Sequence, residues 1–138
     1  MQEPTMEETL ERLRAAHQPV PVPLELPSHE DLVDVEEEVL LPIPREMRRF
    51  LLLASDVVTG SLEPVTAADP HAHTYLPEVA AVAWSMGLPR YLLPLCETNG
   101  NYYCVEPEGE VLFWRDGDLS DESWDDVWRW IDEVWLES

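Results

Sequence analysis

The chain contains no lysine. Its eight basic residues are all arginine and stand against 29 Asp and Glu, a formal net charge of −21 over 138 residues. Unassisted binding to DNA or RNA is therefore excluded as an expectation, because phosphates must be met by cations that displace their counterions. Anionic membrane surfaces are disfavoured for the same reason. Glycine is scarce, at five residues, and no Gly-rich loop able to cradle a phosphate is present. The two cysteines, Cys96 and Cys104, are too few for a disulfide framework and read as buried thiols in a reducing compartment. No apolar run approaches the ~18–20 residues of a membrane span. Met1-Gln2-Glu3-Pro4 lacks the basic region and apolar core of a secretory signal, so a cytoplasmic location is expected.

What is present is enough for a core, since 45% of the residues are hydrophobic. That content argues against a disordered acidic chain, and the length suits one domain. Thr5 and Glu8 have the spacing of a capping box, and Met6, Leu10, Leu13 and His17 follow at helical intervals. Pro19, Pro21, Pro23 and Pro27 then impose an extended connector. Residues 1–27 thus read as a helix and a Pro-rich connector, and residues 28–138 as the domain proper. Ser28 is a good N-cap for a second helix carrying Leu32, Val35 and Val39. Pro44 suits the start of a third, with Met47, Phe50, Leu51 and Ala54 as its buried stripe. Residues 55–76 suggest two short strands, at Val57-Val58 and Leu62 to Val65, and a turn at Asp69-Pro70. Pro77 opens a fourth helix that Gly87 ends.

Three aromatic-rich runs, Tyr91 to Cys96, Asn101 to Val105 and Glu110 to Trp114, predict strands joined at Asn99-Gly100 and Pro107 to Gly109. Pro94 cannot donate to a ladder, so its strand is an edge or carries a bulge. A last helix is predicted from Ser120 as N-cap, with Trp124, Val127, Trp128, Ile131, Val134 and Trp135 as its apolar stripe. Helices, a mainly antiparallel sheet and a closing helix make an α+β fold.

Few residues suggest chemistry. His71-Ala72-His73 beside Asp69 would place two imidazoles on one side of a strand, but no third ligand has a telling spacing; two solvated histidines in a loop are expected. Asp116-Gly117-Asp118 resembles the start of a calcium loop. Counted from Asp116, however, the sixth position is Asp121 rather than Gly and the twelfth is Val127 rather than Glu. Neither a nucleophile elbow nor a zinc motif occurs, so the expectation is a non-catalytic protein without metal or cofactor. A hydrolase built on convergent carboxylates is a weaker alternative.

The strongest feature is charge. From Glu106 to Glu137 twelve acids face only Arg115 and Arg129, a local balance of 2 − 12 = −10. Such a surface speeds encounter with a basic partner and rejects others. The candidate partner-binding residues are Glu106, Asp116, Asp118, Asp121, Glu122, Asp125 and Asp126. Trp130, placed by a straight helical wheel at the border of the charged face, is added as an aromatic anchor.

Two stretches resemble the SUKH superfamily, which includes fungal cell-wall-assembly regulators and bacterial toxin-immunity proteins. In the first, Glu36 and Val39 are followed by Ile43-Pro44-Arg45-Glu46-Met47-Arg48-Arg49-Phe50-Leu51. The second comprises Leu92-Leu93-Pro94-Leu95, Asn99-Gly100-Asn101-Tyr102-Tyr103-Cys104 and Gly109-Glu110-Val111-Leu112-Phe113-Trp114, closed by the Trp-rich helix. Coverage is about residues 28–137. Leu40 stands where the superfamily usually has Gly, and Ser55-Asp56 where it usually has Asn-Gly. The resemblance implies helices around a central antiparallel sheet and a non-catalytic binding role. For bacterial members that role is often neutralising a toxin, frequently a nuclease, whose basic phosphate site an acidic surface can occupy. A regulatory or scaffold role of the fungal kind is the alternative.

Overall fold

The computed structural model describes residues 3–138. Four α-helices come first: α1 (Met6–Ala16), α2 (His29–Val39), α3 (Arg45–Ala54) and α4 (Leu76–Ser85). Four strands follow, β1 (Leu93–Thr98), β2 (Asn101–Val105), β3 (Val111–Arg115) and β4 (Asp118–Trp124), paired antiparallel in sequence order. The chain closes with α5 (Val127–Trp130) and a π-helical turn (Ile131–Trp135). The α+β class expected from the sequence is the one observed.

The helix starts follow from their caps. Thr5 and Glu8 exchange both bonds of a capping box, and Ser28 and Asp31 do the same for α2. The α1 helix folds back onto α3, α5 and the π turn. It buries Leu13 completely and anchors its end through Arg14, which bonds the Leu53 carbonyl and pairs with Asp56 at 2.8 Å. Arg90 secures the end of α2 from a distance: it donates to the Val39 carbonyl while its guanidinium lies 3.7 Å from the centre of the Trp84 ring, a cation–π arrangement.

Alternation along the strands divides the interior in two. Tyr103, Val105 and Val111 pack toward the main core, shared with α1, α2, α3 and α5. Tyr102, Cys104 and Trp114 pack on the other face with Ala83, Leu88 and Leu92. Cys96 lies in the first cluster and Cys104 in the second; both are free, and burial pushes both thiols up to about 12. Pro94 is accommodated in both expected ways, since β1 is an edge strand and its register shifts between Pro94 and Cys96. Asn99 and Gly100 both have positive φ, 52° and 82°, as a type I′ hairpin turn requires.

Three expectations are corrected. The sheet has a fourth strand where a helix was expected to begin. Asp116 and Gly117, with φ of 55° and 84°, form a second type I′ turn, and β4 runs back along β3. The last helix starts only at Val127, capped by Asp126, whose Oδ1 accepts the Arg129 N–H at 2.9 Å; Ser120 sits within β4. Finally, residues 57–65 form no paired strands. They run irregularly, with Pro64 bridging Cys96 and the Val65 N–H donating to the Leu95 carbonyl at 2.8 Å.

Candidate functional site

Antiparallel order fixes where the acids go. The β1–β2 and β3–β4 turns lie at one end of the sheet, tied together by Asn101 Oδ1, which accepts the Asp116 N–H at 3.2 Å. The β2–β3 turn lies at the other end. Asp116 and Asp118 therefore belong to the first end, while Glu106 belongs to the second. Trp124 pairs with Val111, which brings Asp125 and Asp126 to that second end as well. Asp121 and Glu122 lie between, where β4 bulges: three residues, Ser120 to Glu122, stand between the paired positions Leu119 and Ser123, against one, Phe113, on β3.

The result is a line of carboxylates along the open edge of the sheet rather than a cluster. At ~3.3 Å per residue a seven-residue strand runs for ~20 Å. Asp116, Asp118, Asp121, Glu122 and Asp125 are exposed, and Asp126 is half-buried. Two of these acids also hold local structure: Asp126 caps α5, and Asp118 Oδ1 accepts the Leu119 N–H at 2.9 Å. Burial and then the Glu122 charge push the Tyr103 hydroxyl pKa up. Glu106 is half-buried beside like charges. Burial first, then Glu110 and Glu108, raise its pKa above the usual carboxylate range.

Trp130 is corrected outright. It is 0% exposed, stacked on Trp135 with ring centres 6.3 Å apart and lying 5.3 Å from Tyr103. The π turn sets the pairing with Trp135. A straight α-helix would turn residues 130 and 135 away from one another, whereas i→i+5 bonding, seen from Leu136 N to the Ile131 carbonyl at 2.9 Å, brings residues five apart onto one face. Trp130 thus presents nothing to a partner.

His71 and His73 are exposed. The His71 N–H donates to Asp69 Oδ1 at 2.9 Å, and His73 Nε2 lies 3.1 Å from Glu63 Oε2. Among the described residues no group of three His, Cys, Asp or Glu side chains is placed to hold a metal ion.

Sequence reasoning missed the largest cavity described, an open groove of about 550 Å³ between residues 61–65, α4 and the β1–β2 hairpin. Val79 and Val82 of α4 and Met86, its C-cap, supply apolar lining, and Glu63, Glu78 and Glu97 supply carboxylates. These residues are scattered through some forty positions and share no local pattern. A smaller cavity of about 240 Å³ lies near Asp125, Asp126, Arg49 and Arg129.

The fold is an α+β domain with an acidic strand at one edge of its sheet. The family model described as SMI1-KNR4 cell-wall matches residues 6–136, and the chain belongs to that family. The match begins at the first residue of α1, earlier than the stretch of sequence resemblance. A solved structure titled "Crystal structure of protein from Pseudomonas syringae pv. tomato" is 55% identical, with a TM-score of 0.93, and the similarity covers 96% of this chain and 99% of that one. No curated protein matches the chain.

Proposed function

We propose that this protein is a non-catalytic immunity-type inhibitor that binds a basic partner, a nuclease toxin in the cytoplasm being the first candidate. The observation that carries the reading is the run of exposed carboxylates from Asp116 to Asp125 along an unpaired sheet edge. A nuclease must be basic to hold phosphates, and a line of carboxylates on a firm support offers that site an alternative to nucleic acid. Family membership supports a binding role; the step from fold to inhibition is analogy. Glu106, at the far end of the sheet beside Glu108 and Glu110, extends the negative field without joining the line.

The test is co-expression with the product of the adjacent gene, then a nuclease assay with and without this protein. Stoichiometric inhibition is expected. Association should slow steeply between low and moderate salt, and Asp121→Lys with Glu122→Lys should reduce the association rate more than the dissociation rate changes. Binding that is indifferent to salt would remove the electrostatic basis. A protein that pairs with no toxin but associates with host wall-assembly machinery would instead support the regulatory role that the family's description suggests.

A further inference from the structure

The groove beside α4 has a composition that a folded surface does not need. Val82 and Met86 are 53% and 49% exposed, although Val82 lies on, and Met86 caps, a helix whose Leu76, Ala80 and Ala83 are fully buried. With Leu62 and Val79 they give the groove an apolar lining. Glu63, Glu78 and Glu97 are all exposed around it; His73, whose Nε2 lies 3.1 Å from Glu63 Oε2, is the one basic side chain among the residues that line it, and none of them is Arg. The backbone here is firmly held. Glu97 Oε2 accepts the Gly100 N–H at 2.7 Å, fixing the hairpin turn, and the Tyr102 hydroxyl lies 3.7 Å from Met86 Sδ. A volume of about 550 Å³ is within the ~300–1,000 Å³ of ordinary ligand sites, but this groove is open rather than enclosed.

We infer that the groove is a docking site for an extended segment of a protein partner in which Arg or Lys side chains alternate with aliphatic ones. Aliphatic side chains would cover Val82 and Met86, removing apolar surface from water. The cationic side chains would meet Glu63, Glu78 and Glu97, whose mutual repulsion they relieve. Complementarity selects this occupant over others. A second copy of this chain would bring further negative charge, and an uncharged apolar segment would leave the carboxylates desolvated without a counterion. The inference rests on the reading of this protein as a protein-binding domain, and does not require the β4 edge to be the contact surface.

The probe is the peptide acetyl-Leu-Arg-Leu-Arg-Leu-Arg-Leu-amide, titrated into the full chain carrying labelled methyl groups at near-physiological salt. Expected are shifts of the Val79, Val82 and Met86 methyl signals and the Gly100 amide, and an affinity weakened about tenfold by the combined variant Glu63→Gln, Glu78→Gln, Glu97→Gln. The charge-matched control Glu7→Gln, Glu11→Gln, Glu37→Gln removes as many carboxylates from exposed positions on α1 and α2 and should leave the affinity within about twofold. Absence of binding, an equal loss in both triple variants, or undiminished binding of a peptide with Ser for Leu would each overturn the inference. Against the adjacent gene product, the two surfaces separate. Loss of binding in the β4 double variant alone would overturn the groove and leave the proposed function standing. Loss in the groove variant alone would support the groove and remove the β4 edge as the contact surface.

Discussion

Trp130 carries two costs that differ in sign of remedy. Its ring fills the space between Tyr103 and Trp135, while its Nε1 is buried without a hydrogen-bond partner among the described residues. Trp130→Ala should destabilise the fold by ~3–5 kcal/mol, the range for emptying a large aromatic site. Trp130→Phe should cost much less, since it retains part of the ring and removes an unsatisfied donor. Urea melts of the two variants check this. Similar large losses in both would mean that the indole N–H has a partner after all. Glu36 gives a second prediction at this scale. Burial would raise its pKa, but the bond from Arg48 at 2.6 Å, the Ile43 N–H at 2.8 Å and the Arg48 charge outweigh burial and hold it below the usual range. A carboxyl lowered on folding stabilises above its unfolded pKa, and that stability is lost as pH falls through the folded value. Glu36→Gln should therefore lower stability at neutral pH by ~1–2 kcal/mol, with the melting curves of variant and parent converging in acid.

Elements end where particular residues permit it, and Leu40 ends α2 at some expense. It adopts the left-handed conformation, φ 58°, at the C-cap and is 77% exposed. Glycine takes that conformation without a Cβ penalty. Leu40→Gly should raise the unfolding midpoint, by the equivalent of ~1 kcal/mol; a lowered midpoint would mean that the leucine packs in solution. At α5, Asp126→Ala should cost ~1 kcal/mol and Asp126→Asn much less, because asparagine still caps. If both slow partner association equally, charge rather than helix integrity governs that rate. The same two elements show what the sequence could and could not reveal. Caps at Thr5 and Ser28, the Asn99-Gly100 turn and the stripe of α3 are local signals, and each is realised. Asp116-Gly117 is an equally local hairpin signal, but Asp118 to Ser123 is polar and almost wholly exposed. An open edge strand buries too little to impose the apolar alternation by which strands are recognised. The π turn changes the helical period without a marker in composition, so a wheel drawn at a constant angle separates Trp135 from Trp130. The groove had no signal at all, since its walls come from four separate segments that only the tertiary fold brings together.

Across the whole molecule, charge acts in opposite directions on the free protein and on its complex. Ion pairs occupy most of the few cations, among them Arg12 with Asp132, Arg48 with Glu36 and Arg129 with Glu133. A net charge of −21 is otherwise uncompensated, and self-repulsion of this kind opposes the compact state. Added salt screens that repulsion within about 10 Å at 0.1 M, so the thermal midpoint of the free protein should rise as sodium chloride is raised from low to moderate concentration. The same screening weakens long-range attraction to a basic partner, so the association rate should fall over the same range. One titration followed by both calorimetry and association kinetics reads the two slopes together. A free protein destabilised by salt would show that its ion pairs outweigh its repulsion. The surplus of carboxylates would then carry little cost to the free protein, and a basic partner would have little repulsion to relieve.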